Sequence, residues 1–181
     1  CKAGIYPNGV MSPINGLFKG KASLMAFWSI VDNYQINWTS VMPSILSILL
    51  SISVNPEKRY LEGIIRGGQI LTRSIQDDFE SRFKVPIFEG FGLTETTSFS
   101  TFNQFPFSDR KTGSVGLPLP INEICIMDDG KILTANKEGE ICIRGYNVAK
   151  EYHNLPEKNA ESFVNGWFHS GDYGYFDDDG F

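Results

Sequence analysis

Residues 61–95, LEGIIRGGQILTRSIQDDFESRFKVPIFEGFGLTE, carry two apolar runs on either side of one helical pattern. Leu61 to Arg66 is rich enough in isoleucine for a buried strand. Leu71, Ile75, Phe79 and Phe83 recur every four residues, as one side of an α-helix does, and Thr72 or Ser74 stands where a cap is needed. Val85 to Phe88 reads as the next strand. Strand, helix, strand in that order favours a parallel sheet with helices packed on it, and ligands on such sheets bind where strands end and loops begin. The loops after Arg66 and after Phe88 are therefore the places to look for chemistry.

Upstream the alternation continues. Leu24, Phe27, Trp28, Val31 and Tyr34 keep helical spacing, Ile36 to Met42 is extended, and Pro43 fits the first position of a helix carried by Leu46, Leu49 and Leu50. Downstream, from about Phe105, the texture changes: Pro106, Gly113, Gly116, Pro118 and Pro120 cannot sustain a regular helix. The fold class is α/β, with a parallel-sheet α/β part over residues 1–109 and a smaller β-rich subdomain over residues 110–181. Glu123 to Met127, Lys131 to Thr134 and Glu140 to Arg144 read as strands divided by the turn signals Asp129-Gly130 and Glu138-Gly139. Pro156 opens a single helix there, with Ala160, Phe163 and Val164 on its apolar side and Gly166 at its end.

With 181 residues and 41% hydrophobic composition, the chain can bury a sizeable core. Sixteen basic against 21 acidic residues give a net charge of -5 with no basic stripe, which argues against a nucleic-acid partner. The greasiest stretch, Val41 to Leu50, is broken by Pro43, Ser44 and Ser47, so no integral membrane segment is expected. Cys1, Cys125 and Cys142 are odd in number and form no CxxC pair, which fits free thiols and a cytoplasmic setting. Oligomeric state is open.

Glu89-Gly-Phe-Gly-Leu-Thr-Glu95 leaves a strand with two glycines, which lets the backbone approach a flat or anionic ligand. Thr94 and Glu95 then offer a hydroxyl for a phosphoryl oxygen and a hard carboxylate for magnesium, and Phe91 a face for a base. Asp177, Asp178 and Asp179 lack calcium-loop spacing and read as a solvated hairpin tip; His153 reads as a surface residue.

Gly-Leu-Thr-Glu-Thr after Glu-Gly-Phe resembles the signature of the adenylate-forming (AMP-binding) superfamily. Further segments match in order: Arg66-Gly-Gly-Gln69 upstream, then Gly139-Glu-Ile-Cys-Ile-Arg-Gly145, Val148-Ala-Lys-Glu-Tyr152 and Gly166-Trp-Phe-His-Ser-Gly-Asp172. The resemblance is greatest to acyl-CoA synthetases and implies a fragment of the large N-terminal domain. It assigns Gly68, Gln69, Glu89, Gly90, Phe91, Gly92, Thr94 and Asp172 to the nucleotide, with Asp172 on the ribose hydroxyls. It makes Thr94 and Glu95 catalytic, with Glu95 on Mg2+. ATP, AMP, coenzyme A and a carboxylic acid are the implied ligands.

Departures from the pattern are Gln69 for alanine, Ile70 for proline, Ser170 for threonine, Glu151 for glycine and Phe91 for tyrosine. The phosphate-binding loop is expected before Cys1, and the C-terminal domain with its lysine after Phe181, so the piece is expected to be inactive alone. Two alternatives stand beside the ligase reading. One is an amino-acid adenylation domain loading a carrier protein, disfavoured by Leu93 at the usual proline position; the other is a noncatalytic nucleotide-binding module.

Overall fold

The computed structural model describes residues 26–56, 60–68, 71–103 and 110–181. Gln69, Ile70, Cys1 and Leu24 lie outside them. The chain divides into two compact units, Cys1–Glu89 and Gly90–Phe181. The first ends short of the change of texture near residue 109, because strands that follow Glu89 pair onto the continuation of its last strand.

In the first unit, α1 (Phe27–Tyr34), β1 (Trp38–Ser40), α2 (Pro43–Ser51), β2 (Gly63–Arg66), α3 (Arg73–Phe83) and β3 (Ile87–Phe91) follow one another. The strands are parallel, with Thr39 beside Ile64 and Ile64 beside Ile87. β1 is shorter than the extended run suggests, and β3 starts two residues later and reaches Phe91. The 61–95 stretch thus forms the expected strand, helix and strand. Trp28 packs between Phe27 and Phe83, with ring centroids at 4.9 and 4.7 Å, and Phe79 and Phe83 lie 4.7 Å apart. Aromatic burial of this density dominates the local energetics.

α3 buries Gln76, Phe79 and Phe83. The buried glutamine was not legible as a core position. Its Nε2 donates to Glu80 Oε1 at 3.1 Å and to the Ile87 carbonyl at 3.4 Å, while Glu80 Oε1 also accepts the Ile87 N–H at 2.9 Å. These bonds satisfy the amide inside the core and fix the start of β3 against α3. Thr72 holds the N-cap position of α3 without a side-chain capping bond. At the far end of α2, Arg82 replaces a glycine cap: its guanidinium donates to the Leu50 and Ile52 carbonyls at 2.7 Å each.

In the second unit, the last residues of β3 pair antiparallel with β4 (Thr101–Phe102), which pairs with β5 (Leu117–Pro118). A further antiparallel sheet follows in the order β7-β6-β8-β10-β9, from β6 (Asn122–Asp128), β7 (Lys131–Ile132), β8 (Gly139–Gly145), β9 (Phe163–Val164) and β10 (Trp167–Gly174). Asp129 and Gly130, both at positive φ, make the β6–β7 turn. The helix α4 (Pro156–Ser162) opens on Pro156 but stops before Phe163. Phe163 and Val164 pair with Phe168 and Trp167 instead, since the Asn165-Gly166 turn, with both residues at positive φ, returns the chain as a hairpin.

Cys125 and Cys142 are free, buried and directly opposite each other on β6 and β8. Asp177, Asp178 and Asp179 are more than a solvated tip. Lys111 Nζ reaches Asp179 Oδ2 at 2.9 Å and also pairs with Asp177, and Asn136 donates to Asp178 at 2.7 Å. No helix among the described residues is long and apolar enough to cross a membrane.

Candidate functional site

Thr94–Thr96 forms a single 3-10 turn just after β3, in the second unit. The buried Thr96 closes it: its hydroxyl accepts the Leu93 N–H at 3.0 Å and lies 3.1 and 3.2 Å from the Leu93 and Ser98 carbonyls. Thr97 and Ser98 follow at φ 53° and 79°, a left-handed pair that side-chain-bearing residues rarely adopt. This tight return explains Gly92, because a Cβ there would collide with the Ser98 carbonyl. The glycine is required by the loop's own backbone, before any ligand is considered.

The turn is strapped to residues 147–152. Asn147 Nδ2 donates to the Thr96 carbonyl at 2.6 Å, Thr97 Oγ1 to the Asn147 carbonyl at 2.7 Å, and the Ala149 N–H to the Glu95 carbonyl at 2.7 Å. Tyr152 then donates its hydroxyl to Glu95 Oε1 at 2.7 Å. Tyr152 is itself held on three sides. Asn159 accepts its N–H at 2.6 Å and donates to its carbonyl at 2.9 Å, and its ring meets Phe163 at 5.6 Å. Burial, and then the hydrogen bond to Glu95, push the Tyr152 phenol above its ordinary pKa, so it stays protonated and able to donate.

A pocket of about 250 Å³ opens beside this pair, lined among others by Leu93, Glu95, Glu140, Tyr152, Lys158, His169 and Gly171. Glu95 is half-buried there with one oxygen held by Tyr152; its Oε2 makes no hydrogen bond among the described residues. One fixed and one open carboxylate oxygen facing a polar cavity fits a hard divalent cation such as Mg2+. Thr94, next to it, is exposed. At the pocket's other side Gly171 leads to the exposed Asp172, whose N–H is taken by Ser170 Oγ at 3.0 Å. His169 Nδ1 lies 2.7 Å from Glu140 and 3.5 Å from Cys142 Sγ, a buried thiol that desolvation keeps protonated.

The remaining expected site residues are Gly90 and Phe91 in the second unit and Gly68, Gln69 and Glu89 in the first. Gly90 and Phe91 are inside β3, and Ser100 donates its N–H to the Phe91 carbonyl at 2.7 Å. In the first unit Gly68 is exposed at φ 83°, a conformation that favours glycine, and Gln69 lies outside the described residues. Glu89 is buried and its carboxylate is engaged by Arg66 at 3.0 Å. Burial lowers the Arg66 pKa and the charge of Glu89 opposes that shift. Sequence reasoning missed Tyr152, Asn147, Glu140 and Thr96 as organisers of the site. Their partners lie far along the chain or are backbone atoms, and only the Glu-Tyr and Gly-Glu matches hinted at them.

An oxalate–CoA ligase of Arabidopsis thaliana is 37% identical over 166 residues, covering 90% of this chain and 32% of the relative. A luciferin 4-monooxygenase of Photinus pyralis is 35% identical over 155 residues, covering 82% and 28%. The solved O-succinylbenzoate coenzyme A synthetase of Bacillus subtilis in complex with ATP and magnesium ion aligns at a TM-score of 0.77 and 31% identity, over 87% of this chain and 33% of that one. The chain spans about a third of the length of the relatives it matches. Glu95 and Gly171 line one pocket, and residues 14–153 match the family model of the AMP-binding enzyme, so the chain belongs to the AMP-binding enzyme family.

Proposed function

We propose that this chain is part of an ATP-dependent acid–CoA ligase, in which a carboxylate and ATP give an acyl-adenylate and pyrophosphate, and coenzyme A then displaces AMP. The observation that carries the reading is Glu95, which lines the pocket and is held by Tyr152 through one oxygen while the other makes no hydrogen bond among the described residues. Glu95 would hold Mg2+, which would supply charge neutralisation at the phosphates. Thr94 donates its hydroxyl to a phosphoryl oxygen as negative charge gathers around the α-phosphorus. Asp172 accepts the ribose hydroxyls, an arrangement suited to an ionised carboxylate that has only acceptors to offer. Gly90, Phe91 and Gly92 are assigned to the nucleotide with Thr94 and Asp172, and Gly68, Gln69 and Glu89 are assigned to it by the family resemblance alone. Reliance on ATP and coenzyme A, together with two buried free thiols, supports a cytoplasmic setting.

The test is pyrophosphate release by the full-length natural protein across a panel of carboxylic and amino acids, with Glu95→Ala as control and coenzyme A added separately. Release that depends on Glu95, followed by acyl-CoA accumulation, is the expected result and names the acid. Release with amino acids alone replaces it with a carrier-loading role; no release with any acid leaves nucleotide binding without catalysis.

A further inference from the structure

We infer that Glu140, with Ser170, is a positioning residue that caps a bulge in β10 and thereby aims Asp172. The pairing of β10 with β8 is regular at Phe168–Ile143 and His169–Cys142, then shifts before it resumes at Tyr173–Glu140 and Gly174–Gly139. Ser170, Gly171 and Asp172 therefore stand out of the ladder opposite Ile141 alone, and their N–H groups lose strand partners. Gly171 is at φ 76°. A bulge of this kind bends the strand and re-aims the side chain it carries, here Asp172.

Side chains replace the missing ladder. Glu140 Oε1 accepts the Gly171 N–H at 2.9 Å, and Ser170 Oγ accepts the Asp172 N–H at 3.0 Å. The other Glu140 oxygen is engaged with His169 Nδ1 at 2.7 Å, which locks the carboxylate's rotation. Glu140, Cys142 and His169 also bring three potential metal donors within 4.8 Å of one another. Both Glu140 oxygens already serve as acceptors, however, and burial pushes the Cys142 thiol up to about 12. The group is a closed hydrogen-bonded brace, and Glu140, His169, Ser170 and Gly171 all line the pocket.

The inference rests on the assignment of Asp172 to the ribose, and the test separates the two. AMP and 2′,3′-dideoxy-AMP are titrated calorimetrically into the full-length natural protein and its Asp172→Asn, Glu140→Ala, Glu140→Gln and Ser170→Ala variants. The wild type is expected to prefer AMP, and Asp172→Asn to lose that preference. Glu140→Ala is expected to weaken AMP about tenfold while leaving the dideoxy nucleotide nearly unaffected, the size of one lost charge-assisted hydrogen bond. Glu140→Gln, which keeps an oxygen for the Gly171 N–H, is expected to retain most of the preference. Ser170→Ala reads the second cap on an exposed turn, where folding is not at stake, and is expected to narrow the preference too. An unchanged AMP preference in both Glu140→Ala and Ser170→Ala, with the preference lost in Asp172→Asn, overturns the positioning role alone. An unchanged preference in Asp172→Asn removes the ribose assignment and this inference with it.

Discussion

Replacing Tyr152 by phenylalanine removes one oxygen and little else. The ring keeps its contact with Phe163 at 5.6 Å, and the Asn159 clamp survives because both its bonds run to the main chain. What is lost is the 2.7 Å bond to Glu95, together with the hydroxyl's bond with Ser162. A hydrogen bond to a charged partner contributes roughly 1.5–3 kcal/mol, but Glu95 is half-buried beside a pocket, so water takes over part of that and about 1 kcal/mol remains. That is about a fivefold change in an equilibrium constant. In a Mg2+ titration of pyrophosphate release by the full-length natural protein, Tyr152→Phe is expected to need about five times more Mg2+ for half-maximal rate. Its melting temperature is expected to stay within about 3 °C of the wild type. Superimposable Mg2+ curves would refute the idea that the hydroxyl organises Glu95, and a large fall in melting temperature with an unchanged Mg2+ requirement would assign it to folding.

Gly92→Ala drives a methyl group into the Ser98 carbonyl, so the 92–98 loop must shift; a loss of about 2–4 kcal/mol in a denaturation curve and abolished release are expected, and a wild-type melt contradicts the close approach. Phe79→Ala empties a fully buried site between Trp28 and Phe83 and is expected to cost about 3–5 kcal/mol, read by urea unfolding, whereas a cost under about 1 kcal/mol disproves the aromatic core. Desolvation pushes the Cys125 thiol up to about 11 and that of Cys142 to about 12, so iodoacetamide near pH 8 is expected to spare both until urea is added. Because the folded state holds these protons more tightly than the unfolded one, their contribution to stability is full below the usual thiol range, near 9, and declines as pH rises through 11 and 12. A denaturation midpoint that stays flat as pH rises above about 9 would count against that burial.

Local signals carried much of the fold. Pro43 and Pro156 mark helix starts, Asp129-Gly130 makes its hairpin, and the isoleucine-rich 61–66 run forms a parallel strand. Each is a matter of dihedral preference or side-chain periodicity within a few residues. The family's motif order pointed to Thr94, Glu95 and Asp172, but not to what holds them. Tyr152 meets Glu95 across 57 positions and Glu140 meets Gly171 across 31, distances at which no periodicity operates. Gln76 was not legible as a core residue because a buried amide is tolerated only where particular partners satisfy it, and those partners, Glu80 and the Ile87 carbonyl, are set by tertiary packing. The left-handed Thr97-Ser98 pair gives no sign in residue type, since neither is glycine or asparagine.

The straps between the Thr-Glu turn and the 147–152 segment also set an order of events during synthesis. Glu95 leaves the ribosome 57 residues ahead of the tyrosine that orients it. At about 5–20 residues per second that interval is roughly 3–11 s, during which the turn has none of its bonds to Asn147, Ala149 or Tyr152. The growing chain carries the glycines and the Thr-Glu pair long before it carries a site. Chains stalled just before Asn147 are expected to be cut by protease within residues 92–99, and chains stalled well past Gly174 to resist, so that the pocket is assembled only after the second sheet has closed.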